Sequence, residues 1–306
     1  MDKPFKTYEQ LEAIMRDRGL DPGAHARAIL EREGYYPVVN GYRSLFIDEG
    51  ERYRQGATLD EVYALFVMDR RLRTILFRHI ALAEGVLKSV CCYEFCSRHQ
   101  DDNEAYLDPA SYRTERRFRK MVVRFINDVN VMLGRDPKRP PAFAKDYLDH
   151  YKSEHDNIPL WVTMNSLSLG QAFKFYTFLD ESTRFAISQR FQEMHREAHG
   201  TKARRITHES LRKSYDHIKD FRNICAHDER LFCAKVDKSK STDFRRLMAD
   251  MYAVLTADQC ASLYRGIAGC LDFAKDRIAT IGESDILRQM GFNSRAEVRA
   301  CLDGDM

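Results

Sequence analysis

The chain is poor in the residues that interrupt helices, with 8 prolines and 15 glycines among 306 residues. That scarcity favours helix. No stretch approaches the roughly 18 uninterrupted apolar residues that a membrane-spanning helix needs. The start, MDKPFKTYEQLEAIM, lacks the apolar core and the small-residue cleavage site of a secretory signal. Eight cysteines show no regular spacing and no C-x-x-C pair, so free thiols in a reducing compartment, the cytoplasm, are expected. No P-loop or G-x-G-x-x-G motif is present, which removes nucleotide hydrolysis and dinucleotide cofactors from consideration. Strands do not alternate with helices, and neither internal repeats nor low-complexity tracts occur. No cofactor is expected.

What is present is ordinary soluble composition, 44% hydrophobic and 31% charged, with a net charge of only +3. The distribution of charge says more than its sum. One basic run holds Arg113, Arg116, Arg117, Arg119, Lys120 and Arg124, and a second holds Lys202, Arg204, Arg205, Arg212 and Lys213. Such runs collect phosphate-rich ligands or simply face solvent, and the sequence leaves both open.

Two short helices joined by RGLDPG are expected over residues 5–34. Pro37 and Asn40–Gly41 then break helix within GYYPVVNGYRSLF, where Tyr35, Tyr36, Tyr42 and Phe46 form an aromatic packing knot. A long helix is expected from about Thr58, which with Glu61 makes a capping box, to Arg98. Its apolar stripe is Leu65, Leu72, Leu76, Ala83, Leu87 and Val90. Asp69 falls on that stripe, with Arg70, Arg73 and Glu84 beside it. A carboxylate there needs a partner. It is either an internal ion pair with one of the arginines or part of a polar wall facing an active site.

Helix resumes over Ser111–Leu133, and GRDPKRPP (134–141) is the clearest connector. A core helix is expected over 158–176, carrying the only tryptophan, Trp161, with Gly170 at a bend or close approach. Further helices are expected over 182–199, 206–227 and, two or three of them, 243–303.

The strongest local signal is FRNICAHDERLF, residues 221–232. It ends a helix whose apolar stripe is Leu211, Tyr215, Ile218, Phe221 and Cys225. Arg222 and His227 lie five apart, about 140° around an ideal helix, so they do not share a face, whereas Asn223 and His227, four apart, do. Two copies packed across a two-fold axis could surround one cleft with both pairs. The chemistry that needs these types is RNA transesterification. A histidine moves protons near neutrality and an arginine clamps the phosphate oxygens, with no metal. The bland alternatives are a snorkelling arginine and a histidine that caps the helix end.

RNICAHDERL resembles the HEPN motif of bacterial abortive-infection proteins of the AbiD/AbiF type, an arginine and a histidine separated by four to six residues. GYYPVVNGYRSLF, GATLDEVYALFVMDRRLRTILFRHIALAE, IPLWVTMNSLSLGQ and ILRQMGF resemble that family's other blocks in the same order, so the likeness spans most of residues 5–292. It implies an all-α, HEPN-like helical bundle with additional N- and C-terminal helices. The corresponding segments are 1–57, a core over 58–240 with the inserted connector at about 134–141, and 241–306. It implies a toxin-like, metal-independent endoribonuclease that leaves 2′,3′-cyclic phosphates and acts in anti-phage defence. RNA is then the substrate, a small noncoding RNA a controlling partner in some relatives, and a homodimer the expected assembly. Carried over position by position, Arg222 and His227 are catalytic and Asn223 supports them. Asp69, Arg73 and Glu84 match a polar helix of the family. Arg73, Glu84, Arg116, Arg117, Arg119, Lys120, Arg204 and Arg205 are the candidate RNA contacts. Cys233 stands where the family often has asparagine.

Rival readings have their own features. His195 and His199 are spaced as a helical zinc pair and Cys91, Cys92 and Cys96 cluster, but HREAH is not H-E-x-x-H and no third ligand is suitably placed. A noncatalytic RNA-binding protein would use the same cleft without needing His227. A helical interaction protein would show no salt-sensitive RNA affinity.

Overall fold

Helix dominates the computed structural model, which describes residues 4–142, 145–236 and 241–305. In chain order the α-helices are α1 (Tyr8–Asp17), α2 (Ala26–Glu33), α3 (Leu59–Cys96), α4 (Arg116–Met132), α5 (Asp146–Glu154), α6 (Leu160–Thr163), α7 (Leu169–Phe178), α8 (Glu181–His199), α9 (His208–Ala226), α10 (Phe244–Tyr252), α11 (Ala257–Lys275), α12 (Glu283–Gln289) and α13 (Arg295–Asp303). Two isolated bridges, Asp21 with Thr58 and Ile47 with Tyr53, are the extent of strand pairing among the described residues. The fold is all-α, as expected. No helix among the described residues is long and apolar enough to cross a membrane.

The chain forms two compact units: residues 1–79, 221–249 and 258–306, and residues 80–220 and 250–257. This partition is discontinuous, whereas the three segments read from the sequence are contiguous. The boundary placed after residue 240 falls on 237–240, outside the described residues.

In the first unit, α3 starts on the capping box foreseen. Glu61 N donates to Thr58 Oγ1 and Thr58 N to Glu61 Oε2, both at 3.2 Å. The same carboxylate accepts from the amides of Ala279 (2.7 Å) and Thr280 (3.0 Å), which ties the loop before α12 to the start of α3. Leu65, Leu72 and Leu76 are buried, as are Phe221, Phe232, Phe244 and Ile267 of the same unit. α11 passes so close to α3 that a Cβ on Gly266 would lie 2.6 Å from Ile75 Cγ2. Residues 36–40 and 43–45 form short helical turns where a break was expected, because Pro37 sits in a first turn, where its missing N–H costs nothing. Half of the aromatic knot is core: Tyr42 and Phe46 are buried, while Tyr36 is 77% exposed.

In the second unit, Ala83, Leu87 and Val90 continue the α3 stripe inward, and Phe95, Phe125, Phe175 and Phe178 pack edge to face. Tyr215 satisfies its buried hydroxyl by donating to Ala83 O at 2.8 Å. α4 begins at Arg116 rather than near Ser111, because Asp108 caps a separate turn over Pro109–Ser111. The expected single helix over 158–176 is two. The chain extends at Leu167, and Ser168 with Gln171 opens α7 through a capping box. The break therefore precedes Gly170, which is neither a bend nor a close approach. Trp161 is 49% exposed and is not a core residue.

Candidate functional site

The Arg222–His227 segment lies wholly in the first unit. After the last helical bond, from His227 N to Asn223 O at 3.0 Å, the chain turns off with the 6→1 bond of a Schellman-like end, Glu229 N donating to Ile224 O at 3.2 Å. Asp228 takes the left-handed position of that turn, φ 56°, where glycine is usual. His227 is thereby the residue at the helix cap. Its exposed ring has no hydrogen-bond partner among the described residues.

What holds this turn is the polar face of α3. Asp69, fully buried, accepts from Leu231 N (2.9 Å), Phe232 N (2.8 Å), Tyr42 Oη (2.7 Å) and Arg73 Nη1 (2.9 Å). Arg73, 3% exposed, also donates to Glu229 O at 3.0 Å and to Asp228. Arg70 grips Glu33 with two bonds of 2.9 Å and reaches Asp228 at 3.3 Å. Arg230 donates to Gly41 O at 2.7 Å. The turn after the helix is thus fixed from both sides: three α3 side chains engage its backbone and Asp228, and the 36–42 segment accepts Arg230 at Gly41 O while its Tyr42 donates to Asp69.

Burial pushes the Asp69 carboxyl above its ordinary value, and the donors from Leu231, Tyr42, Arg73 and Phe232 work against that shift. Burial likewise pushes the Tyr42 phenol up, helped by the Asp69 charge, so Tyr42 stays a donor. Hydrogen bonds from Arg70 hold Glu33 below its ordinary value. Asp69 and Arg73 are the internal ion pair that the stripe required. They also form the frame of the motif turn, a role for which either sequence reading alone was too narrow.

The motif residues themselves remain unspent. Arg222 is half-buried, its guanidinium 5.6 Å from the Phe77 ring centroid, with no ion-pair partner among the described residues. Asn223 is exposed. The arrangement leaves one guanidinium and one imidazole available to an anionic ligand.

The other candidate contacts scatter. Arg73 is consumed by Asp69 and Asp228, so it is not a surface contact for RNA. Glu84 belongs to the second unit and pairs with Lys88 at 2.6 Å. Arg116, Arg117, Arg119 and Lys120 are all exposed on α4 of the second unit, without ion pairs among the described residues. Arg113, by contrast, is engaged by Glu115. Arg205 is exposed, and the half-buried Arg204 lies 5.3 Å from the Tyr252 ring. Arg212 and Lys213 share Glu209. His195 is buried, with neither ring nitrogen partnered among the described residues, and His199 bonds Leu255 O at 2.8 Å. No group of three or more potential metal ligands occurs among the described residues. No disulfide joins any of the eight cysteines, all of which lie among the described residues.

Sequence reasoning missed Glu33, Tyr42 and Asp228 as parts of the site. A signal was present for Tyr42, since a buried carboxylate on an apolar stripe needs donors and the nearby knot is rich in phenols. None was present for Glu33, which reaches Arg70 only through folding.

Fold and site together describe an all-α protein with an exposed Arg–His helix end clamped by a buried carboxylate and two arginines. The family model described as Abi-like protein matches residues 28–233, more than half of the chain and every residue of this clamp. The chain belongs to that family, whose name refers to abortive infection, the bacterial response to phage. No curated protein and no solved structure matches it.

Proposed function

We propose that this protein is a metal-independent endoribonuclease of the HEPN type that acts in abortive infection. The observation that carries the reading is the pairing of two unspent side chains, Arg222 and His227, with a turn locked by Asp69, Arg70 and Arg73. Preorganisation of this kind suits a site that must stabilise charge developing on a phosphate. The ribose 2′-hydroxyl attacks the adjacent phosphorus and the bond to O5′ breaks, giving a 2′,3′-cyclic phosphate and a 5′-hydroxyl. His227 transfers a proton in this exchange, and Arg222 holds the phosphate oxygens as their charge grows. Asn223 orients His227 or binds phosphate. A second copy across a two-fold axis supplies the complementary acid or base, which makes a homodimer the working assembly. The exposed cations of α4 and Arg205 hold the RNA backbone, and a small noncoding RNA is a fitting inhibitor for the same surfaces.

The α4 cations also favour a second reading, an RNA-binding protein that sequesters without cutting. One experiment separates the two: cleavage of total cellular RNA in EDTA by the wild type, Arg222→Ala and His227→Ala, with the 3′ ends mapped. Cyclic phosphate ends made by the wild type and by neither variant support the nuclease. Wild-type cleavage retained in either variant refutes the site. Tight, salt-sensitive binding without cleavage supports sequestration.

A further inference from the structure

Beside the motif turn lies a cavity of about 540 Å³, within the range of small-molecule sites. Its wall on the motif side is Ile224, Asp228 and Glu229, residues that bracket His227, and on the other side Tyr36 and Asn40. A second cavity of about 510 Å³ shares Tyr36 and Asn40 and has Arg18 on its wall. Two features of this groove are unexplained by packing. The Tyr36 ring is 77% exposed and has no ring or cation partner among the described residues. Glu229 is an exposed carboxylate with no ion-pair partner there either, although the site beside it is read as binding a polyanion. A bare carboxylate next to phosphates is repulsive. It becomes an asset if it accepts hydrogen bonds from a base.

We infer that this groove is the base-reading subsite of the enzyme and that it selects guanine, stacked on Tyr36 with its Watson–Crick edge on Glu229. The inference rests on the ribonuclease reading for its substrate class. A carboxylate only accepts. Guanine presents two adjacent donors, N1–H and the N2 amino group, which match its two oxygens. Cytosine offers only its N4 amino group on that edge, adenine only N6, and uracil only N3–H. Stacking on Tyr36 holds the base without distinguishing it. Arg230, on the same wall and anchored to Gly41 O, and Arg18 beyond Tyr36 are placed for the flanking phosphates.

The test uses the full chain and a panel of short 2′-O-methyl oligoribonucleotides, which cannot be cut, carrying G, A, C or U at one position. Wild type is expected to bind the G member about tenfold more tightly than the others, the discrimination typical of a bidentate base contact. Glu229→Gln should reduce that preference to within about threefold, and Tyr36→Ala should weaken all four members by about tenfold in unchanged order. Both side chains are exposed, so helical circular dichroism should match the wild type. Equal wild-type affinity for the four bases, or a preference that survives Glu229→Gln, overturns the inference. Cleavage of the unblocked panel keeps the two readings apart. Cutting without base preference removes the subsite and leaves the nuclease. Guanine-selective binding without any cutting removes the nuclease and leaves the subsite.

Discussion

Replacing Asp69 by asparagine tests the idea that one buried carboxylate builds the candidate site. The substitution preserves size. It removes the charge opposite Arg73 and sets an amide N–H₂ against donors that all point at position 69. Of the amides of Leu231 and Phe232, the Tyr42 hydroxyl and the Arg73 guanidinium, at least one is left without its acceptor. Breaking a buried ion pair from one side costs about 3–5 kcal/mol, and an orphaned buried N–H costs about 1–3 kcal/mol. The groups share one network, so the terms overlap. The expected loss is about 3–5 kcal/mol, a large part of the roughly 5–15 kcal/mol that stabilises a typical domain. Urea unfolding reads the total, and hydrogen exchange at the Leu231 and Phe232 amides reads the local part. Arg73→Met should lose a similar amount. The double variant should lose at least about 1 kcal/mol less than the sum, because the second change removes a group already orphaned. A loss under about 1 kcal/mol for Asp69→Asn, well below the range for a broken buried pair, or unchanged protection of the two amides, refutes the clamp.

Other consequences are open to measurement. Asp228 occupies a left-handed backbone position and also pairs with Arg70 and Arg73. Asp228→Ala should therefore be less stable than Asp228→Gly by about 1 kcal/mol, the cost of a Cβ in that conformation; equal melting by both would contradict it. Neutralising Arg116, Arg117, Arg119 and Lys120 together should flatten the salt dependence of RNA binding. On single strands the log–log slope should fall by up to about 0.7 for each phosphate that these cations neutralise in the wild type; an unchanged slope would remove α4 from the RNA path. Burial, aided by His199 and Arg204, pushes His195 down to about 4. The folded protein then resists a proton that the unfolded chain accepts below about 6.5. Stability is complete above that value and declines as pH falls toward the folded value. His195→Gln should shallow this acid-side decline by up to about 3 kcal/mol between pH values of about 6.5 and 4, and an identical pH profile would show that His195 does not titrate this way.

Local patterns carried much of the fold. The 3.6-residue stripe of α3, its Thr58–Glu61 box and the turn signals around RGLDPG are contained within a few residues of chain, and each is found where periodicity puts it. The 158–176 segment went wrong for an equally local reason, since the Ser168–Gln171 box competes with a continuous apolar run and wins. Trp161 stands outside the core because a single short turn, α6, carries it at the surface. The α4 cations were legible as a run and are exposed. Arg73 was legible as a basic neighbour of Asp69, but its burial was not, because Asp228 and Glu229 O, which complete its surroundings, lie 155 and 156 residues away in sequence.

From the sequence alone came the helical class, the Arg222–His227 motif and the requirement that Asp69 find a partner. These follow from residue spacing, side-chain chemistry and the penalty on an unpaired buried charge. The tertiary structure decided how that requirement is met: Tyr42, Arg73 and the amides of Leu231 and Phe232 converge on one carboxylate from three separated stretches of chain. No periodicity records that convergence, because hydrogen-bond partners distant in sequence are chosen by packing, and packing exists only once the helices have met.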